Sequence, residues 1–193
     1  MNDRHPFRTL PDHLQRGLDL VFVGINPGLY SVQREHYFAR STNRFWPAFT
    51  ASKLSERVRR ALGTNTLRAE HDAELLPYGI GFTDVVKRPS GNAADLNVGD
   101  FKEGVPLLLE KLQRYAPRVA CFHGLTAYRP FLRLALPRAD LVPVLGQQPG
   151  VIAATRFYVV PNPSPANAHY TLADQIAWYD RLADFLATAR LRD

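Results

Sequence analysis

The chain has 193 residues, 46% of them hydrophobic and 22% charged, which is the apolar content of one folded domain and leaves no room for a second core. Its 24 Lys and Arg against 18 Asp and Glu give a net charge of +6, a field that attracts polyanions such as nucleic acid or anionic lipid, although many basic enzymes bind neither. The one cysteine, Cys121, rules out an intramolecular disulfide and a thiolate-built zinc or iron–sulfur site, and no apolar stretch approaches a membrane span, so a reducing compartment, cytosol or bacterial nucleoid, is expected.

From the N-terminus, residues 1–16 read as a loose extension of a single domain covering 1–193, with no linker or repeat. Leu18-Asp19-Leu20-Val21-Phe22-Val23 is an apolar run that breaks into Gly24-Ile25-Asn26-Pro27-Gly28, the pattern of a buried strand ending in a tight loop. That loop either mounts Asn26 rigidly for chemistry or is a turn in which the amide satisfies its own backbone. From Tyr30 to Trp46, the rings of His36, Tyr37, Phe38, Phe45 and Trp46 alternate with Arg34, Arg40 and Arg44. Rings among guanidinium groups suit a surface that stacks a base and neutralises phosphate. Phe45 and Trp46 open an apolar segment and are assigned to the core, leaving Phe38 as the stacking candidate.

Gly79 to Val86 reads as a second strand, and Asp84 at its apolar end must be exposed, paired with Lys87 or Arg88, or used. Asp100 with Glu103 resembles a capping box opening a helix on which Val105, Leu108, Leu109, Leu112 and Tyr115 share a face, with Pro106 disturbing its first turn. Arg118 to Phe122, with Cys121 as a small apolar residue, and Phe157 to Val160 are further strands. The latter runs into Pro161-Asn162-Pro163-Ser164-Pro165-Ala166-Asn167-Ala168-His169, a loop stiffened by three prolines. Thr171 caps a last helix with Leu172, Ile176, Tyr179, Leu182 and Leu186 on one stripe and Asp174, Gln175, Asp180 and Arg181 outside it. Strands alternating with helices imply an α/β class: a single three-layer αβα domain with a mostly parallel central sheet, whose ligands bind beyond the carboxyl ends of the strands. His36, His123 and His169 fit no compact ligand spacing, so neither a metal nor another cofactor is expected.

The ordered set Gly24-Ile25-Asn26-Pro27-Gly28, Asn43-Arg44-Phe45-Trp46, Arg88-Pro89 and Val160-Pro161-Asn162-Pro163-Ser164 resembles the mismatch-specific uracil-DNA glycosylases, bacterial relatives of thymine-DNA glycosylase in the uracil-DNA glycosylase superfamily, over roughly residues 17 to 187. The resemblance implies a monofunctional enzyme that flips uracil or a related damaged or mismatched pyrimidine out of DNA and hydrolyses its bond to the sugar in base-excision repair. It further implies that Asn26 positions the attacking water, that Phe38 stacks on the base, that backbone groups near Ile25 and Phe38 meet the base edge, and that Ser31 lines the pocket. Asn162 then opens a loop, Ser164, Pro165, Ala166, Asn167 and Ala168, that enters the gap left by the flipped nucleotide. Two departures stand out. Where relatives carry a Gly-Leu-Ser-Arg tip, this loop has a smaller wedge in Ala166 and, in Ala168, no group for the orphaned base, so dependence on the opposing base should weaken. Asp84 stands where relatives have Lys or an amide, and a carboxylate near the sugar could share catalysis with Asn26.

Arg44, Lys87 and Arg88 are the candidate phosphate contacts. Residues 1–60 hold ten Lys or Arg against five Asp or Glu, part of it a solvated face of Arg57, Arg59 and Arg60, and binding should weaken with salt. Double-stranded DNA is the expected partner, with single-stranded DNA as a second substrate form, and a monomer the expected state. The competing readings are a non-catalytic nucleic-acid-binding domain of the same fold and an α/β hydrolase acting on free nucleosides.

Overall fold

The structure is a computed structural model that describes residues 6–136 and 142–190. Five strands, β1 (Leu20–Gly24), β2 (Ile80–Asp84), β3 (Val119–His123), β4 (Gly146–Ile152) and β5 (Thr155–Val160), form one sheet in the order β2-β1-β3-β5-β4. All neighbours are parallel except β4, which runs antiparallel to β5 at the edge. The four parallel strands are short apolar runs buried along nearly their whole length, as a sheet covered on both faces requires.

Strand alternation divides the core in two. Leu20, Phe22, Ile80, Phe82 and Cys121 pack against α1 (Leu29–Arg34), α2 (Phe45–Ala51), α3 (Glu56–Leu62) and α6 (Leu172–Arg190). Val21, Val23, Val85, Ala120 and Phe122 pack against α4 (Val98–Tyr115) and α5 (Leu125–Ala135). This is the expected three-layer αβα arrangement. Chain order reverses around β1, so the loops after β1, β2, β3 and β5 gather at one end of the sheet, the usual location of a ligand crevice in such folds.

Several expectations need correction. The strand β4 escaped the sequence reading because Gln147, Gln148, Pro149 and Gly150 break its apolar pattern; it is an edge strand with alternating burial and a register shift between Gln147 and Val151. α4 starts earlier than Asp100: Asn97 is the N-cap, its side-chain oxygen accepting from the Gly99 and Asp100 N–H groups, while the Asp100 carboxylate accepts from the Asn97 N–H. Pro106 therefore sits in the third turn of the helix, not the first. In α6, Leu172 is exposed and Gln175 is buried, the reverse of the expected stripe.

Residues 6–16 are not loose. His13 exchanges both backbone hydrogen bonds with Phe82 on the outer edge of β2, Leu10 is buried, and Asp12 pairs with Lys87 and Lys111 at 2.9 and 2.6 Å. The segment caps the open edge of the sheet.

Candidate active site

The loops after β1 and β2 are zipped together. Val85 and Val86 N–H donate to the Gly24 and Ile25 carbonyls, and past the strands the Ser90 N–H donates to Pro27 O while Leu29 N–H donates to Ser90 O. Into this frame Asn26 puts its amide nitrogen, which donates to the Arg88 carbonyl at 2.9 Å, the Ser90 hydroxyl at 2.9 Å and the Pro27 carbonyl at 3.3 Å. The carbonyl partners fix which end of the amide is nitrogen. Its Oδ1 accepts no hydrogen bond among the described residues. The two readings of the loop thus converge, because the backbone is satisfied by one end of the carboxamide and the other end is a held acceptor.

Asp84 ends β2 in register with Gly24, which lies two positions before Asn26. A Cβ at position 24 would collide with Asp84 Oδ1, so glycine is what lets the carboxyl lie across the strand end. Asp84 is 4% exposed, its Oδ2 has no hydrogen bond among the described residues, and its ion-pair partner is Lys87 at 3.6 Å. Burial pushes its pKa up to about 6, Lys87 and the neighbouring Tyr37 hydroxyl offsetting only part of that cost while Asp12 adds to it. The pairing expected with Lys87 or Arg88 is with Lys87, and it leaves the carboxyl under-satisfied.

Phe38 sits at φ +54°, a strained conformation for a bulky side chain. Its neighbours hold it there: Tyr37 N–H donates to Asp72 Oδ2 at 2.8 Å, Trp46 Nε1 donates to Tyr37 O at 2.9 Å, and Ala39 N–H donates to Ser31 Oγ at 3.3 Å. The Phe38 ring stacks on Phe45 with centroids 4.3 Å apart, and neither its N–H nor its carbonyl has a partner among the described residues. Ser31 is thus a fastener of the Phe38 loop. The Ile25 carbonyl is used by Val86, and its side chain packs in the opposite layer with α4 and α5.

Beneath Phe38 is His123, at the end of β3, whose place in the site the sequence spacing does not reveal. Its ring packs on Phe22, Phe38 and Phe45, its Nε2 is 2.9 Å from the Tyr179 hydroxyl, and its buried Nδ1 has no partner among the described residues. Burial depresses its pKa to about 3, so the imidazole is neutral. Gly124, at φ +93°, lets the chain turn against Asn162, whose Cβ is 3.1 Å from where a side chain would begin.

Asn162 and its loop are braced from inside. Asn162 Oδ1 accepts from Ser164 N–H at 2.9 Å, and its carbonyl accepts from Asn167 Nδ2 at 2.9 Å and Gln175 Nε2 at 3.2 Å. The Asn162 amide nitrogen has no protein partner among the described residues. Arg44, expected on phosphate, donates instead to the carbonyls of Ser164 and Asn167 at 2.6 and 2.7 Å. Pro165, Ala166 and Ala168 form an exposed tip.

The other two expected phosphate contacts are also committed internally. Lys87 is 6% exposed and bonded to Asp12. Arg88 makes a bidentate pair with Asp100 at 2.6 and 2.7 Å, which lowers the Asp100 pKa to about 2. Sequence alone could not show this, because a cation beside an active loop looks the same whether its partner is solvent, phosphate or a carboxylate from another element. Two pockets among the described residues, about 320 Å³ beside Arg59 and Asn65 and about 190 Å³ between α3 and α6, lie away from these loops.

Against known proteins, the model of the uracil DNA glycosylase superfamily matches residues 11–186. The chain belongs to that superfamily. It is 35% identical over 113 residues to the G/U mismatch-specific uracil DNA glycosylase of Schizosaccharomyces pombe, a match covering 58% of this chain and 33% of that relative, so the chain spans about a third of the relative's length. Its fold is similar to that of a candidate uracil DNA glycosylase from Methanosarcina acetivorans solved by solution NMR, with a TM-score of 0.56 and 20% identity over 93% of this chain and 98% of that one.

Proposed function

We propose that this superfamily member is a monofunctional DNA glycosylase that extrudes uracil and related damaged or mismatched pyrimidines from DNA and hydrolyses the bond between base and sugar, acting as a monomer in the cytosol or nucleoid. The observation that carries the reading is Asn26: three donations fix its amide nitrogen while its Oδ1 accepts nothing among the described residues, which is how a neutral group holds a water molecule for attack without consuming a proton. The base stacks on the face of Phe38 turned away from Phe45, and the unpaired Asn162 amide nitrogen donates to a base carbonyl, a group that gains negative charge as the bond breaks. Asp84, ionised above about pH 6 and lacking full compensation, supplies negative charge near the sugar as it becomes oxocarbenium-like, and can accept a proton from the water. Lys87, held between Asp12 and Asp84, is engaged by two carboxylates and is no free amine nucleophile, consistent with hydrolysis without strand cleavage.

A labelled duplex with one uracil, treated with the protein and then hot alkali, is expected to break at the uracil. An intact strand would overturn the reading, leaving DNA binding without cleavage or release of base from free nucleoside as the measurable alternatives. Because Ala166 and Ala168 offer a small wedge and no group for the orphaned base, cleavage of U opposite G and U opposite A should differ less than for a relative with Leu and Arg at the tip. Equal discrimination in side-by-side assays would contradict that.

A further inference from the structure

With Arg44, Lys87 and Arg88 spent on internal partners, the cationic grip on DNA has to come from elsewhere. Helix α1 leaves the Asn26 loop directly, and on it Tyr30, 36% exposed, is approached by two guanidinium groups: Arg34 at 5.4 Å and Arg40 at 5.9 Å from the ring centroid. Arg34 Nε also donates to the Tyr30 hydroxyl at 3.2 Å. Both arginines are exposed, and neither pairs with a carboxylate among the described residues; Glu35, the nearest acid in sequence, is taken by Arg8 at 2.7 Å. Holding two like charges on one ring is unfavourable in isolation and is relieved by an anion between or beside them. The same segment carries Ser31 and leads into Phe38, so the cluster stands beside the Phe38 loop.

We propose that the Arg34–Tyr30–Arg40 cluster is the phosphate-binding clamp of this protein, gripping the backbone of the DNA strand beside the flipped nucleotide. The ring presents the two guanidinium groups at a fixed spacing, and each neutralises one phosphate through its planar donors. This inference rests on the glycosylase reading of the neighbouring loops.

The test is the affinity of the full chain for a uracil-containing duplex as a function of salt, alongside uracil cleavage by the unchanged protein. Replacing both arginines, Arg34→Ala with Arg40→Ala, is expected to raise Kd about tenfold or more near 0.1 M salt and to lower the slope of log K against log salt by about 2, near 0.9 for each phosphate no longer neutralised. Tyr30→Ala should lower the slope while Tyr30→Phe, which keeps the ring, stays near the original value. Arg57→Ala with Arg60→Ala, on α3, serves as the equal-charge control and should leave the slope within about half a unit. Intact uracil cleavage with an unchanged Kd and slope in the Arg34 and Arg40 variant would overturn the clamp and leave the glycosylase reading standing. No cleavage and no duplex binding by the unchanged protein would instead remove that reading, and the clamp with it.

Discussion

Two carboxylates, Asp72 and Asp84, are buried to nearly the same extent, 1% and 4% exposed, within reach of the same Tyr37, yet their surroundings treat them oppositely. Asp72 receives the Tyr37 N–H at 2.8 Å, the Ala73 N–H at 2.7 Å and His36 Nδ1 at 3.1 Å, with His13 Nε2 at 3.6 Å. Burial raises its pKa, but the nearby His13 ring and the bonds from Tyr37 and His36 outweigh that and hold the carboxyl below the ordinary value. Asp84 has one lysine at 3.6 Å and, among the described residues, an oxygen with no donor, and burial wins. Burial of an acid therefore distinguishes nothing here; the supply of donors does. Asp72 ties the N-terminal segment, the Phe38 loop and its own helical turn together, whereas Asp84 is kept at the strand end in a state that costs stability at neutral pH, the signature of a group retained for another purpose.

The contrast can be broken by substitution. Asp72→Ala should have the largest effect on folding: it leaves several buried donors without an acceptor, at a cost of about 3 kcal/mol or more, which lowers Tm by roughly 10 °C in a domain of this size. A drop of under about 3 °C in a thermal melt would show that Asp72 is not the tie its geometry describes. Asp84→Asn should leave Tm at pH 7.5 unchanged or raised while slowing single-turnover uracil excision about a hundredfold. Wild-type excision by that variant, with Asn26→Ala inactive, would assign the chemistry to the carboxamide alone.

The smallest effect is on the pH dependence of stability. For Asp84 the folded pKa of about 6 exceeds the ordinary carboxyl value of 3.8, so the native state binds the extra proton between those values. Its favourable contribution is present below about pH 4 and is lost as pH rises through 6. The Tm of Asp84→Asn should accordingly gain on that of the unchanged protein by a few °C between about pH 4 and 6.5. Parallel Tm curves would indicate that Asp84 is as well compensated as Asp72.

The strands that carry the site were legible because parallel, doubly covered strands are written as continuous apolar runs, and Leu18 to Val23 and Gly79 to Val86 fall within a few residues of β1 and β2. The amide of Asn26 and the ring of Phe38 were legible as isolated chemistry in stiff or polar surroundings. The fate of the cations was not, since Arg44, Lys87 and Arg88 find their partners at Ser164, Asp12 and Asp100 on other elements, and sequence spacing carries no record of such meetings. His123 was hidden for the same reason: its neighbours Phe38 and Tyr179 reach it from 85 and 56 positions away in the chain. The buried Gln175 shows the limit of helical periodicity, which assigns a polar residue to solvent even when a loop carbonyl waits for it.

Asp84 working as a carboxylate beside a fixed carboxamide is the central claim, and the pH profile of single-turnover uracil excision reads it most directly. For the unchanged protein the rate should climb as pH rises through about 6 and then level, while Asp84→Asn should be slow and flat over the same range. Matching rates and matching profiles for the two proteins would contradict it.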